Sequence, residues 1–295
     1  MIAILGNREK LQRIMLEAAL IVLALSSMSS LGLELIPAQL DSIRKTALTG
    51  LGVCLLNLIT LPILAFLLCR MFELSPAISL GIFLCACSGG GASAGLFILK
   101  AKGAPATGAV LLSLLNFTSL FSAPILITLY GGNSLSEIGQ TFSVLPKLLS
   151  IGLVFFGLPL GLGIWTRRTN EPLSLRILPI LVRISNVSLA FSILYLGIKY
   201  GKEILEFGIL IWVVLFLLIG VSFTSGIYLF REKTDDRRSI GIVSGIRNLS
   251  LALLLAQEQS GDPKVLITIL LYGFIMYLVA FPASLFWRRW KNVTL

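Results

Sequence analysis

Long apolar segments, separated by short charged or turn-rich breaks, constrain the fold of this chain more than any other feature. Nine such segments cover approximately residues 13–31, 47–70, 76–100, 105–131, 141–166, 176–199, 206–231, 235–257 and 264–288. Each is long enough to cross the hydrocarbon core of a bilayer as a helix. Of the 295 residues, 56% are hydrophobic and 13% are charged, which leaves too little polar surface for a soluble domain. The sequence therefore predicts an all-α polytopic membrane protein with about nine transmembrane helices.

The net charge of +10 comes mainly from short basic runs between the apolar segments. Charge placed in this way sets membrane topology, so we expect a lipid bilayer and no nucleic acid as the partner. The larger basic set comprises Arg44 and Lys45, Lys100 and Lys102, Arg167 and Arg168, the run from Arg231 to Arg238, and the run from Arg288 to Lys291. All of these fall on one side of the predicted topology. They predict a multi-pass protein of the cytoplasmic (inner) membrane with its C-terminus in the cytoplasm and its N-terminus outside.

Two of the apolar segments carry glycine-rich interruptions, at residues 87–93 (CSGGGAS) and at residues 241–248 (GIVSGIRN). Each of the three consecutive glycines is less favourable in a helix than alanine by about 1 kcal/mol. Unwound backbone at membrane depth is tolerated only against protein or a wet cavity, because lipid cannot satisfy its polar groups. Close helix packing through small residues is the alternative for either site alone. The two interrupted segments are the third and the eighth, so they are five spans apart and run through the membrane in opposite directions. This pattern predicts two discontinuous crossing helices in two inverted repeats, of which the first lacks its first helix.

Four ordered motifs resemble those of the bile acid:sodium symporter family. Residues 31–35 (LGLEL) resemble its M-G-L-x-L helix ending, and Asn57 followed by Pro62 resembles its Q-x-x-x-x-P helix. Residues 87–94 (CSGGGASA) resemble C-P-G-G-T-A-S-N, and residues 243–248 (VSGIRN) resemble E-x-G-x-Q-N. The resemblance implies a carrier of a small organic anion, bile-acid-like or smaller, that works by alternating access. It also implies a core domain at about 47–131 and 206–288 and a panel domain at about 13–31 and 141–199.

The family resemblance also implies two sodium sites beside the crossing, and here the chain departs from the family. The positions carried over are Ser93, Ala94, Asn116, Asn57, Val243 and Arg247. Ala94 and Val243 replace oxygen ligands, including the only carboxylate, although a hard cation requires oxygen ligands. Arg247 places a cation where a cation would bind, and two unit charges ~4 Å apart repel by several kcal/mol even at an effective dielectric near 20. We expect sodium coupling to be weakened or lost, and we predict no other cofactor or metal.

Arg247 is the residue on which the predicted substrate site centres. A guanidinium in mid-membrane costs at least ~2.5–3.5 kcal/mol and normally faces a cavity or a partner. The alternative is that the eighth segment starts late and leaves Arg247 near the cytoplasmic surface. The predicted substrate-binding residues are Arg247, Asn248, Ser244, Ser93, Gly91, Asn116, Thr118 and Ser119. Interhelical hydrogen bonding is an equal alternative for Asn116, Thr118 and Ser119, and Asn248 is better suited to cap or brace the broken helix.

Three further functions compete with an uncoupled anion carrier. A sodium-coupled or proton-coupled symporter of the same family is the first, but the chain has no histidine and few intramembrane carboxylates to relay protons. An intramembrane enzyme is disfavoured, because Ser88 and Ser244 have no histidine or mid-membrane lysine as a base. A non-transporting receptor or scaffold is not separated from a carrier by the sequence.

Overall fold

The protein is described by a computed structural model that covers residues 2–34, 47–91, 93–131, 146–147, 150, 153–260 and 262–289. The first half contains α1 (Ile2–Glu34), α2 (Ala47–Leu55, a π-helical turn Leu56–Thr60, and Leu61–Met71), α3 (Pro76–Cys87), α4 (Ala94–Lys100) and α5 (Pro105–Gly131). The second half contains α6 (π-helical Leu153–Gly157 and Leu158–Thr169), α7 (Glu171–Glu206), α8 (Gly208–Tyr228), α9 (Thr234–Gly245), α10 (Leu249–Gln259) and α11 (Pro263–Arg288).

Five helices among the described residues are long and apolar enough to cross a membrane. They are Leu48–Met71, Pro105–Tyr130, Glu171–Phe191, Gly208–Tyr228 and Pro263–Arg288. Ile21–Glu34 of α1 and the whole of α3 are shorter apolar helices. The chain is therefore a multi-pass helical membrane protein, although fewer single helices meet the length criterion than the nine predicted segments suggest.

Four of the nine predicted segments, the first, third, fifth and eighth, are not among these five helices. The first is represented by the shorter apolar stretch Ile21–Glu34. The third and eighth segments are each divided into two short helices, α3 with α4 and α9 with α10, and none of the four is long enough to cross alone. Part of the fifth segment, including residues 141–145, lies outside the described residues. Two boundaries also move, since α1 begins at Ile2 and α7 extends to Glu206.

Helix α8 shows how the composition fits a bilayer. Its inner face, which includes Val214 and Leu218, is buried, and its outer face still carries exposed Phe216 and Leu217. A helix that is apolar on both its buried and its exposed face is stable where lipid rather than water surrounds it.

The helices pack in two groups around the interrupted segments. Helix α1 packs mainly against α6 and α7. Gly32 on α1 and Gly163 on α6 allow these two helices to approach closely, because a Cβ on Gly32 would lie 2.9 Å from the Cα of Gly163. In the other group α3 packs against α11 and α2, while α9 packs against α8 and α5. The two interrupted helices therefore lie inside the second group.

Candidate functional site

The two predicted helix interruptions are present, and their backbones pair with each other. Gly89 and Arg247 form an antiparallel β-bridge. The backbone N–H of Asn248 donates to the carbonyl of Ser88 at 2.9 Å, and the N–H of Gly91 donates to the carbonyl of Ile246 at 3.1 Å. Each interruption thus supplies partners for backbone groups that the other leaves outside a helix, as a buried break requires.

Two of the three consecutive glycines are needed for this pairing. Gly90 has a φ of +79°, a conformation that residues with a side chain rarely adopt. A Cβ on Gly91 would lie 2.3 Å from the carbonyl oxygen of Arg247, so the two backbones meet at a distance that only glycine permits. The glycine run therefore serves a close backbone approach, not simply flexibility.

Two asparagines brace the paired interruptions. Asn248 caps α10, because its Oδ1 accepts a hydrogen bond from the N–H of Leu251 at 3.1 Å. Its Nδ2 donates to Oδ1 of Asn116 on α5 at 2.8 Å, and Nδ2 of Asn116 donates to the carbonyl of Gly90. The predicted capping role of Asn248 is confirmed, and Asn116 links α10 to the first interruption.

Arg247 is buried, with 2% of its surface exposed, although no described carboxylate forms an ion pair with it. Its Nη1 donates to the carbonyl of Ala86 at 3.4 Å. Its Nε and Nη2 are buried and meet no hydrogen-bond acceptor at good geometry among the described residues, although the hydroxyl of Tyr272 lies close enough to interact with the guanidinium. This burial does not agree with the alternative that Arg247 is a surface charge. The guanidinium instead lies at the C-terminal turn of α3, where the helix dipole is negative.

A cavity of about 450 Å³ lies beside the paired interruptions. Its wall is built by α1, the two breaks, α4, α5, α7, α10 and α11. The lining residues are Leu23, Ser27, Ser30, Glu34, Gly91, Ser93, Gly95, Leu96, Ile98, Leu99, Pro105, Ala109, Leu112, Val182, Ser185, Asn186, Leu189, Arg247, Asn248, Leu249, Ser250 and Tyr277.

The structure brings four of the eight predicted substrate-binding residues to this cavity: Gly91, Ser93, Arg247 and Asn248. The other four do not line it, and three of them are hydroxyl residues. Thr118 donates to the carbonyl of Leu114 at 2.7 Å, Ser119 donates to that of Asn116, and Ser244 accepts from Asn57. Thr118 and Ser119 bond to carbonyls of their own helix, whereas Asn116 makes interhelical contacts of the kind given as the alternative, to Gly90 and Asn248.

The model of the sodium bile acid symporter family matches residues 19–207, which is more than half of the chain. The chain belongs to the sodium bile acid symporter family. The matched range includes the first interruption and ends before α8, so the second interruption with Arg247 lies beyond it. No curated protein matches the chain. The family that the sequence motifs resembled is thereby confirmed.

The family is named for sodium symport, and a sodium ion binds to several oxygen ligands. Four backbone carbonyl oxygens lie around the pairing, and each already accepts a hydrogen bond. The carbonyl oxygens of Ser88, Gly90 and Ile246 accept hydrogen bonds from Asn248, Asn116 and Gly91 respectively. That of Ala86 accepts from the guanidinium.

The carried-over side chains offer little to a cation beyond these carbonyls. Val243 and Ala94 are buried and carry no side-chain oxygen. The Oδ1 of Asn57 is a buried acceptor without a partner, but it is a single amide oxygen. The described residues also contain no cluster of three or more His, Cys, Asp or Glu ligands. Ser93 and Asn116 do carry side-chain oxygens, which accept hydrogen bonds from Tyr277 and Asn248. Because a hard cation takes several oxygen ligands and is repelled by a nearby guanidinium, our prediction stays that sodium binding is weakened or lost.

Several polar residues of the cavity were missed from the sequence. Ser27 of α1 and Ser250 of α10 place their hydroxyl oxygens 3.3 Å apart, and Ser250 donates to Oδ1 of Asn248. The hydroxyl of Tyr277 on α11 donates to Ser93 at 2.9 Å. These residues belong to no motif, and serines in an apolar segment give no sign of which face they occupy. Ser250 lies two residues after Asn248, the last residue of the second motif, so its position was the only one of these that a motif could have indicated.

Proposed function

We propose that this symporter-family protein is a secondary carrier of an organic anion and that its transport does not require sodium. One observation carries the proposal: the guanidinium of Arg247 is buried at the paired interruptions, bonded to Ala86 of the other interrupted helix, and no carboxylate of the described residues forms an ion pair with it. A fixed positive charge in this position supplies the field that a bound cation would otherwise supply.

The helix ends around the pairing support this charge assignment. Helices α3 and α9 end at the interruptions, so their negative dipole ends face the region that contains the guanidinium. Helices α4 and α10 begin there, so their positive ends face the cavity side, where Gly91, Ser93 and Asn248 form the wall. In transporters with broken helices, such N-terminal ends point at anionic substrate groups. The charge of Arg247 adds to their attraction for an anion.

The cavity supports an amphipathic or small organic acid as the substrate. Its volume of about 450 Å³ falls within the ~300–1,000 Å³ typical of small-molecule sites. Its wall combines apolar side chains with hydroxyl and amide groups from several helices, such as Leu112, Ile98, Ser30 and Asn186. This chemistry suits a carboxylate or sulfonate attached to an apolar body. Direct contact between that acid group and Arg247 stays a prediction.

The packing supports alternating access between two bodies that carry the predicted panel and core. Helix α1 packs mainly against α6 and α7, which we assign to the panel, at about 13–31 and 141–199. The remaining helices form the core, at about 47–131 and 206–288, with inverted repeats in which α3–α4 and α9–α10 run in opposite directions. The cavity lies between α1 and α7 on one side and the interruptions on the other, where a relative movement would change its opening. We place the protein in the inner membrane with its N-terminus outside.

Flux through liposomes that contain only this protein tests the proposal. A radiolabelled taurine-conjugated bile acid and a set of smaller carboxylic acids are offered in sodium medium and in choline medium. We expect counterflow of at least one anion at equal rates in the two media. Flux that occurs only in sodium would contradict the sodium-independent mechanism. Binding without flux would instead support the receptor or scaffold alternative.

A further inference from the structure

The carboxyl group of Glu34 is the one acidic side chain that lines the cavity among the described residues. Glu34 ends α1, and its Oε2 lies near the first turn of α4, 3.9 Å from the point where a Cβ on Gly95 would stand. The side chain is only partly exposed, and it forms no hydrogen bond or ion pair with another described residue. A carboxyl group is thus withdrawn from water without a partner, in a cavity that we assign to an anion.

Among the described residues, no basic group forms an ion pair with Glu34. The other titratable groups of the cavity wall are Arg247, which bonds to Ala86, and Tyr277, which donates to Ser93. On α4 and α6, the described basic residues are Lys100, which lies over the ring of Phe281, Arg167, which pairs with Glu171, and Arg168. Those on α7 and α11 are Arg176, Arg183, Lys199, Lys202, Lys264 and Arg288. None of them forms an ion pair with Glu34.

We propose that Glu34 is a proton-binding site whose protonation is coupled to the binding of the anion in the same cavity. The cavity takes up an anion readily when Glu34 is neutral and poorly when Glu34 is ionised. This inference rests on the proposed function and adds a coupling proton to it. A proton-coupled symporter was one of the alternatives from the sequence, where the scarcity of intramembrane carboxylates disfavoured it.

The size of the cavity sets the strength of this coupling. A volume of about 450 Å³ corresponds to a sphere about 10 Å across, so a bound anion lies within about 10 Å of the Glu34 carboxylate. At that distance and an effective dielectric near 20, repulsion weakens binding of a monovalent anion by roughly tenfold. Burial without a donor favours the neutral form of a carboxyl group. By linkage, ionisation of Glu34 lowers the affinity for the anion by a certain factor, and a bound anion lowers the ionisation constant of Glu34 by the same factor.

The test uses an anion whose own charge does not titrate. A taurine-conjugated bile acid, kept below its micellar concentration, carries a sulfonate that stays ionised at all pH values used. Its affinity for the purified full-length protein is measured through thermal stabilisation at about pH 5.5 and about pH 8, which bracket the range in which a buried carboxyl group changes charge. Proton uptake on binding is measured separately in weakly buffered solution with a pH indicator. The variants are Glu34→Gln and, as a matched control, Glu171→Gln, an exposed carboxylate on α7.

We expect the wild-type protein and Glu171→Gln to bind the sulfonate roughly tenfold more tightly at the lower pH and to take up protons on binding. Glu34→Gln should bind with the tighter affinity at both pH values and take up no proton. Equal wild-type affinity at the two pH values, or wild-type binding without proton uptake, overturns the inference and leaves the anion carrier intact. These two wild-type measurements decide the matter even if Glu34→Gln does not fold. Failure of the sulfonate and of every smaller acid to bind at either pH overturns the proposed function together with the inference.

Discussion

Arg247 donates a hydrogen bond through Nη1 to the carbonyl oxygen of Ala86, 3.4 Å away. The bond joins the second interruption to the last turn of α3, which belongs to the first. The other two guanidinium nitrogens, Nε and Nη2, are buried and have no hydrogen-bond acceptor among the described residues. A structural arginine of this kind is costly, because a buried charge is normally paired. Its presence therefore indicates a functional role for the charge.

Restoring the family residues beside Ala86 should restore a response to sodium. The double variant Val243→Glu with Arg247→Gln removes the guanidinium and adds a carboxylate where the family motif has one. We expect anion binding to fall at least about tenfold in choline medium, because the fixed charge is lost. We expect sodium to recover a measurable part of it, because oxygen ligands replace the cation. Thermal stabilisation by the anion in the two media provides the measurement.

The matched control for the loss of charge is Arg176→Gln, an exposed arginine on α7 outside the cavity. It should leave binding within about twofold of the wild type, since exposed substitutions away from a site change free energies by about 0.5 kcal/mol or less. If the Arg247→Gln single variant binds anions as well as Arg176→Gln does, the charge of Arg247 is not used for substrate.

The interruptions and the family could be predicted from the sequence, because both depend on local signals. Three consecutive glycines are unfavourable in a helix, so the end of α3 at Cys87 follows from composition. The VSGIRN stretch indicated only the region of the second break, because Val243 to Gly245 are still part of α9. The cavity wall could not be predicted with the same success. Whether Thr118 or Ser93 faces a cavity depends on the rotation and position of whole helices, which sequence motifs do not specify.

Gly91→Ala should disrupt the pairing of the interruptions. A Cβ at this position would lie 2.3 Å from the carbonyl oxygen of Arg247, and backbone atoms cannot move away as a flexible side chain can. We expect a loss of about 1–3 kcal/mol or more in stability. Gly220→Ala in α8 is the matched control, since nothing lies within 4 Å of its added methyl group. It should be neutral or stabilising by up to about 1 kcal/mol. Thermal unfolding in detergent separates the two, and equal melting temperatures would contradict the close approach.

Asn116 and Asn248 should act as one unit in a double-mutant cycle. Asn248→Ala removes the cap of α10 and the bond to Asn116, at a cost of about 0.5–2 kcal/mol for the cap alone. Because the two side chains bond to each other, we expect a coupling of about 0.5–3 kcal/mol in stability. Asn170→Ala removes a similar cap from Leu173 at the exposed start of α7, and it should show no coupling with Asn116→Ala. Additive effects for the Asn116 and Asn248 pair would refute the brace.

Thr118→Val and Ser119→Ala should leave anion binding unchanged within about twofold, because their hydroxyls bond to carbonyls of α5 and the two residues do not line the described cavity. Tyr277→Phe removes the donor that holds the Ser93 hydroxyl in the cavity wall, and it should weaken binding several-fold. The three variants are compared by the anion concentration that gives half-maximal stabilisation. A larger effect from Thr118→Val than from Tyr277→Phe would show that substrate lies on the α5 side instead.

A disulfide between α1 and α10 should stop transport by holding the two helices together. The hydroxyl oxygens of Ser27 and Ser250 are 3.3 Å apart across the boundary that we assign to panel and core, a separation compatible with bridging sulfurs after Ser→Cys substitution. If alternating access requires these helices to separate, oxidised Ser27→Cys with Ser250→Cys should lose anion exchange and regain it on reduction. The wild-type protein, with its own four cysteines, is treated with the same oxidant and should keep its exchange. Full exchange in the bridged protein would mean that α1 and α10 move together, and the proposed division into panel and core would then be wrong at this contact.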